Sequence, residues 1–216
     1  MNLHLLRAAL GHFVGQELTP TVAARIEFIA MGGEDLCRPP EQFAPLDVDG
    51  FTIQVERLRD ILDELHGLHE LHWQETEKHR HGLPLCPDYG QMKLLERQGR
   101  LVQFTVRRDG VLVGNLRMYV GMSMHSSTPF GEPQPTSDED TLFIHPDHRG
   151  SWLSIKLLRY AEAVLVGQLG VREIRADSKL VNRADVLMRR LGYREFATRF
   201  VKVFPRKEPS HVLGQP

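Results

Sequence analysis

The sequence has little cysteine and no excess of charge of either sign. Its two cysteines, Cys37 and Cys86, are too few for a disulfide framework or a four-cysteine zinc site, so we expect a reducing, cytoplasmic setting. Lys and Arg number 27 against 28 Asp and Glu, and the net charge of -1 provides no basic field for nucleic acid or an anionic membrane. These absences exclude secreted disulfide scaffolds and proteins that bind nucleic acid through bulk charge.

Long apolar runs are also missing from the chain. No run approaches the roughly 20 residues that span a bilayer, so we expect no membrane partner. The first fifteen residues carry one early Arg but are interrupted by polar residues, and we do not interpret them as a signal peptide.

The composition is typical of a folded domain, with 41% hydrophobic and 25% charged residues over a length of 216 residues. Apolar periodicity over residues 51–204 predicts the order β, α, α, β-hairpin, β, α, β, α, β. That order indicates an α/β fold whose mixed sheet (α+β) has helices on both faces. We expect residues 1–50 to be an extension of two short helices and an irregular connector, and residues 205–216 to be a flexible tail.

Two stretches carry clear local signals. Asp109-Gly110 lies between two β-rich runs, which predicts a tight hairpin. Residues 122–140, MSMHSSTPFGEPQPTSDED, are dense in Ser, Thr and Pro. They are predicted to form a long loop, and loops of that length inside a domain are often functional.

A chemical signal lies where the strand TLFI (141–144) leads through HPDHRG (145–150) into a helix. The free N–H groups and positive dipole end of a helix favour a phosphate or pyrophosphate. Arg149 can add a forked, charged contact, and Gly150 allows close backbone approach to an anion. On local sequence alone, a plain strand–turn–helix crossover is the alternative.

The element order and the I-H-P-D-H-R-G turn together resemble the GNAT superfamily of N-acetyltransferases, whose signature Q/R-x-x-G-x-G/A follows the fourth strand. The resemblance covers residues 51–204 and includes the hairpin, the LGY at 191–193 and the final FVKVF. The chain is most similar to members encoded by tailed bacteriophages, through His72, Trp73 and Glu75, a His in the loop after the third strand (His125), and an acid opening the fourth strand (Asp140).

The resemblance implies a GNAT acyl-CoA N-acyltransferase-like fold with an N-terminal helical extension, and acetyl-CoA as co-substrate. The pantetheine arm would pair with strand backbone where the sheet splays between the fourth and fifth predicted strands, and the turn would hold the pyrophosphate. Asn182 lies near a family Asn that contacts the cofactor, although an N-cap role for Asn182 is an equal alternative. The positions implied to bind acetyl-CoA are Leu142, Phe143, Ile144, Arg149, Gly150, Ser151, Trp152, Leu153, Ser154 and Asn182.

The sequence departs from the family pattern at two functional positions. The signature reads Arg149-x-x-Trp152-x-Ser154, so Trp replaces the first Gly and either crowds the site or packs on the ligand. Met188 stands where many members have the Tyr that protonates the leaving thiolate. That role would pass to Tyr160, Tyr193 or water.

Acetyl transfer to an amine requires a base, because a protonated amine has no lone pair. Glu139 and Asp140 are candidates, since family members supply a carboxylate from this strand. Neighbouring strand residues point to opposite faces, so at most one of them faces the site directly. His125 is a further candidate, because the unperturbed pKa of histidine lies near neutrality.

Eleven histidines are an unusual feature of the composition. His66, His69 and His72 are spaced three apart along a predicted helix, so each is displaced around the helix relative to the one before it. No cysteine lies at a spacing suited to a shared metal ion. We therefore predict no metal site and expect this cluster to border the acceptor cleft.

The resemblance thus implies an acetyl-CoA-dependent N-acetyltransferase, phage-encoded and acting in the host cytoplasm. It would acetylate an unknown amine acceptor on a small molecule or protein. The alternative is a GNAT-fold protein with weak or no catalysis that binds a host protein partner. The departures at Trp152 and Met188, together with the extra 50 residues, motivate that alternative.

Overall fold

The computed structural model describes residues 3–30, 37–77, 84–127, 133–150, 152–179 and 184–198. Within these ranges the chain forms one six-stranded mixed sheet with its strands in sequence order. All neighbouring strands are antiparallel except the last two, which are parallel. The strands are β1 (Leu46–Val48), β2 (Phe51–Glu56), β3 (Leu101–Arg108), β4 (Val111–Ser127), β5 (Pro133–Ile144) and β6 (Glu173–Arg175).

The helices are α1 (Leu3–His12), α2 (Pro20–Ala30), α3 (Leu62–His72), α4 (Tyr89–Arg97), α5 (Leu153–Gly167) and α6 (Ala184–Arg190). A π-helical turn, Trp73–Glu77, continues α3. The predicted mixed α/β fold is confirmed, with α3 to α6 at the predicted places in the order. The last predicted strand, 198–204, lies almost wholly outside the described residues.

Local sequence accounts for the helix ends. Asp88 caps α4, since its carboxylate accepts from the Gln91 N–H at 2.9 Å. Gly192 follows α6 with φ of 91°, and the Tyr193 N–H donates to the Met188 carbonyl, as expected for a left-handed helix end.

Two tight hairpins shape one end of the sheet. The predicted turn at Asp109-Gly110 is confirmed, with Arg108 paired to Val111 and both turn residues at positive φ. The second turn, Asp49-Gly50, joins β1 to β2 and has the same conformation, with φ of 52° and 77°. The sequence prediction of an irregular connector up to residue 50 was wrong here, because the same Asp-Gly signal between LDV and FTI marks a strand pair.

The predicted loop over residues 122–140 was also wrong. β4 extends to Ser127 and β5 begins at Pro133, with Gly121 paired to Thr136 and Met122 to Pro135. The pairing becomes irregular beyond Met122, and the Pro135 carbonyl accepts from the Arg172 N–H at 2.9 Å. Pairing along a long hairpin has overridden the low strand propensity of Ser and Pro.

The side chains buried on the two faces of the sheet differ in polarity. Beneath α5 lies the main apolar core, which includes Phe104, Leu116 and Leu157. Beneath α3 lies a smaller cluster that includes Leu65 and Phe143. The face under α3 and α4 also buries polar side chains, namely Gln103, Thr105, Asn115, Arg117 and Thr141.

Candidate active site

The site begins where β5 and β6 separate. The described pairing between these strands covers only Thr136 with Glu173, Ser137 with Ile174 and Asp138 with Arg175. β5 continues for six residues beyond that point while β6 ends at Arg175. Over 139–144, β5 is therefore paired to β4 along one edge. Along its opposite edge, β6 makes no ladder pair with these residues. The predicted cofactor positions Leu142, Phe143 and Ile144 lie on this stretch.

The strand leads directly into the N-terminus of α5. After a 3-10 turn at Pro146–His148, Gly150 adopts a φ of 93°, and the first intrahelical bond of α5 runs from the Lys156 N–H to the Trp152 carbonyl. The N–H groups of Leu153, Ser154 and Ile155 therefore have no acceptor within the helix. Together with the dipole of a 15-residue helix, they suit an anionic group.

Trp152 keeps the backbone conformation that a glycine favours. Its φ is 59° and its ψ 14°, in the left-handed region. Its side chain is 60% exposed, and the Arg190 guanidinium lies over the indole at 5.7 Å from the ring centroid. The indole therefore lies largely in solvent beside the N-terminus of α5.

Arg149 is engaged within the protein. Its Nη1 and Nη2 donate to Glu75 Oε1 and Oε2 at 2.8 and 2.7 Å, and its Nε donates to the Ile144 carbonyl at 2.9 Å. The guanidinium also lies over the Phe143 ring, at 5.1 Å from its centroid. The forked contact that we expected with a phosphate is thus made with Glu75. The sequence gives no local signal for this partner, because Glu75 and Arg149 are 74 positions apart.

A β-bulge presents Asp140. Arg117 pairs with Thr141 and Met118 with Glu139, so Asp140 is the extra residue of β5. Asp140 Oδ2 accepts from Arg117 Nε at 2.8 Å and from Nη2 at 2.7 Å. The Arg117 side chain is 4% exposed and that of Asp140 is 34% exposed. A buried guanidinium therefore anchors a carboxylate that remains accessible from solvent.

Glu139 has different surroundings. Its Oε2 accepts from the Asp177 N–H at 3.1 Å, in the segment that follows β6. Its charge also helps to raise the pKa of Tyr193, although burial and the hydrogen bond to Glu162 contribute more. The two neighbouring carboxylates thus contact different parts of the fold, Asp140 on the α3 side and Glu139 beside β6.

His69 lies in a buried hydrogen-bond network with Arg117. Its Nε2 is 3.4 Å from Arg117 Nη1, and its Nδ1 is 3.0 Å from the Tyr89 hydroxyl. Since a guanidinium only donates, Nε2 accepts and the proton of the neutral ring resides on Nδ1. Burial, reinforced by the positive charge of Arg117, lowers the pKa of His69 to about 3. His69 is therefore neutral at physiological pH.

His72 packs on the same wall. Its ring centroid is 5.4 Å from that of Phe143, and burial, with the charge of Lys179, lowers its pKa to about 4. His66 is exposed and interacts with Glu70. Among the residues that the structure describes, no group of three or more His, Cys, Asp or Glu side chains is arranged to hold a metal ion.

Some predicted site residues cannot be placed. His125 lies within β4, but its side chain is outside the described part of the chain, as are Ser151 and Asn182 altogether. The tyrosines considered as thiolate acids are placed: the Tyr160 hydroxyl donates to the Ala44 carbonyl at 3.0 Å, and burial raises the pKa of both Tyr160 and Tyr193. Met188 is buried in the main core.

The sheet separation, the helix N-terminus and the accessible carboxylate agree with a family comparison. A model of the acetyltransferase (GNAT) family matches residues 58–193, which is more than half of the chain. The chain belongs to the acetyltransferase (GNAT) family. Acetyl-CoA is the acetyl donor of this family, which confirms the predicted co-substrate.

Solved structures show the same fold at low identity. An aminoglycoside acetyltransferase from an uncultured soil metagenomic sample, solved with trehalose, is 17% identical with a TM-score of 0.57, covering 74% of this chain and 100% of its own. A ribosomal-protein-alanine N-acetyltransferase from Brucella melitensis biovar Abortus 2308 is 19% identical, with a TM-score of 0.54 and coverage of 72% and 99%.

A third similar structure is AAC(6')-Iy in complex with a bisubstrate analog, CoA-S-monomethyl-acetylneamine. It is 21% identical with a TM-score of 0.51, covering 74% of this chain and 99% of its own. No curated protein matches the chain. Within the described segments, none of the helices is both long and apolar enough to cross a membrane.

Proposed function

We propose that the chain is an acetyl-CoA-dependent N-acetyltransferase that transfers the acetyl group directly to an amine. The observation that carries the proposal is the continuity of the site. Among the described residues, a strand edge without a ladder partner at 142–144 leads into helix N–H groups at 153–155 that have no acceptor within α5, and an accessible carboxylate, Asp140, lies on the same strand. Amide, pyrophosphate and amine would each meet a complementary group along this path.

The cofactor would bind mainly through the backbone. The pantetheine amides would pair with Leu142, Phe143 and Ile144 along the edge of β5 that faces away from β4, which no strand of the described ranges covers there. The pyrophosphate would accept from the N–H groups of Leu153, Ser154 and Ile155 and of the Gly150 turn. Backbone donors need no particular side chain, so Trp152 and Ser154 in place of the signature small residues are compatible with this binding.

Asp140 is the base that the geometry favours. Arg117 occupies Oδ2 and leaves Oδ1 to take a proton from the acceptor ammonium, directly or through one water. The free amine then attacks the thioester carbonyl carbon, the C–N bond forms, and the C–S bond breaks with its electron pair on sulfur. The nitrogen that has gained the acetyl group still carries one proton more than an amide does, and a water relays that proton to the thiolate, because the buried Met188 has no acidic proton to give. Glu139 and His125 are the other candidate bases.

The acceptor would enter between α3, α4 and the bulge. Neutral His69 and His72 would add no positive charge to those of Arg117 and Lys179. Since Arg117 is buried and engages one oxygen of Asp140, the accessible side of that carboxylate would attract a cationic amine. Aminoglycosides are acceptors compatible with this charge, and enzymes named for aminoglycoside and ribosomal-protein-alanine acetylation share the fold. We propose a small polycationic amine as the first acceptor class to test, ahead of protein N-termini.

Two measurements test the proposal. Calorimetry with acetyl-CoA is expected to show one site per chain, and no detectable binding would end the proposal. A mass-spectrometric screen of aminoglycosides, polyamines and N-terminal peptides is then expected to find an acetylated product that depends on both the chain and acetyl-CoA.

A second function would be binding of a host protein without catalysis, by a phage-encoded chain acting in the host cytoplasm. The Arg149–Glu75 ion pair favours it, because Arg149 is withdrawn from the phosphate, as does the apolar residue at Met188. Under that reading the acceptor screen stays negative, and a purified host partner binds equally well with and without acetyl-CoA. An acetylated product would contradict it.

A further inference from the structure

We propose that Trp152 and Arg190 form a recognition platform for the 3'-phosphoadenosine end of CoA, with the adenine stacked on the free face of the indole. This inference rests on the proposed function, since it assumes that CoA binds at the N-terminus of α5. It concerns the part of the ligand that lies outside the backbone-binding path.

The position of Trp152 supports a ligand contact. The residue immediately precedes the N–H groups that have no acceptor within α5 and are proposed to hold the pyrophosphate, and adenosine is attached to that pyrophosphate. Its indole is 60% exposed, so a broad aromatic surface faces solvent beside the phosphate path. An exposed aromatic ring can stack a base without specific hydrogen bonds.

The backbone conformation of Trp152 also supports a role in ligand binding. A non-glycine residue in the left-handed region is strained, and a bulky one especially so. The φ of 59° means that the chain accepts this strain to place a large aromatic side chain where glycine would fit freely. An exposed indole adds little to folding, so its contribution is expected in binding.

Arg190 differs from its neighbour in a way that suits a phosphate. Arg189 is bound to Asp185 at 2.9 Å and to Glu195 at 2.7 Å. Among the described residues, no carboxylate forms an ion pair with Arg190. Its guanidinium instead covers one face of the Trp152 indole. Its charge is therefore available to the 3'-phosphate while it steadies the ring.

The chain has two tryptophans, which makes the platform measurable. In a Trp73→Phe variant, Trp152 is the remaining tryptophan, and CoA is expected to quench its fluorescence. Phosphopantetheine, which lacks adenosine, should bind by calorimetry without quenching. Quenching by phosphopantetheine equal to that by CoA would overturn the platform.

The affinity of variants for CoA also tests the proposed Trp152–Arg190 platform. Trp152→Gly keeps the backbone conformation and is expected to weaken CoA binding about tenfold, as the loss of one stacked base predicts, while phosphopantetheine affinity stays constant. Arg190→Gln should reduce the preference for CoA over dephospho-CoA, and the matched control Arg189→Gln should not. Unchanged or tighter CoA binding by Trp152→Gly would overturn the platform and leave the proposed function intact. Failure of the parent chain to bind CoA would end both.

Discussion

At the scale of single residues, the pairing of Arg117 with Asp140 positions the proposed base. The guanidinium is buried and donates to one carboxylate oxygen at 2.7 and 2.8 Å, so the carboxylate has a fixed orientation. Sequence reasoning found Asp140 because an acid was expected on this strand. It could not find Arg117, because the interacting residues are 23 positions apart and meet only through the bulge.

Asp140→Asn is expected to lower kcat by a factor of about 100 or more while leaving the Kd for acetyl-CoA nearly unchanged. The amide keeps the shape but cannot take a proton, and general bases contribute on the order of 100 to 10,000-fold. Asp109→Asn is the control, since that side chain is 92% exposed and Asn tolerates its positive φ. Steady-state kinetics and calorimetry check both, and a kcat like that of the parent would remove Asp140 from the mechanism.

Histidine burial predicts a pH-dependent stability. The folded-state pKa values of His69 and His72, about 3 and 4, lie below the unfolded value near 6.5. Below about pH 6.5 the unfolded chain therefore binds protons that the folded chain excludes. The free energy of unfolding should fall by about 1 kcal/mol per histidine between pH 7.5 and 5.5.

Urea unfolding at the two pH values measures this loss. His69→Gln should reduce the pH dependence, whereas the exposed His66→Gln should retain it. The same free energy of unfolding at pH 7.5 and 5.5 would contradict the burial of these two rings.

At the scale of elements, the sequence predicts best those helix caps and turns that depend on neighbouring residues. The helix cap at Asp88 and the turn at Asp109-Gly110 depend on neighbouring residues alone and were predicted correctly. The turn at Asp49-Gly50 carries the same signal but was missed, because its flanking strand β1 has only three residues. The β4–β5 hairpin was missed because its pairing is long-range and its composition is typical of loops.

Two glycines give a matched test of these elements. Gly50→Ala is expected to lower the free energy of unfolding by about 1 kcal/mol, because its φ of 77° is strained for any side chain. Gly67→Ala, inside α3 with open space at its Cβ, should raise it by about 0.5–1 kcal/mol. Chemical denaturation of both variants checks the signs, and a stabilising Gly50→Ala would contradict the β1–β2 turn.

An ion pair links two elements that flank the site. Glu75 comes from the π-helical turn after α3 and Arg149 from the turn after β5, and both side chains are about 40% exposed. Pairs this exposed contribute little to stability. The contacts of Arg149 with Ile144 and Phe143 suggest that its role is to fix the end of β5 beside the proposed pantetheine path.

At the scale of the whole molecule, the net charge of -1 fits a small-molecule or protein acceptor better than nucleic acid. Sequence reasoning predicted the mixed sheet, the family resemblance and the path from strand to helix N-terminus. It could not predict that Trp152 would extend outward or that Arg149 would bind Glu75, because both depend on contacts between segments distant in sequence.

Amide hydrogen exchange with and without acetyl-CoA tests whether the cofactor binds along the path from the β5 edge to the N-terminus of α5. Saturating acetyl-CoA is expected to slow exchange at residues 142–144 and 153–155 and to leave exchange in α1 and α2 unchanged. Exchange that is unaltered at the strand edge and the helix N-terminus, with acetyl-CoA bound or not, would contradict it.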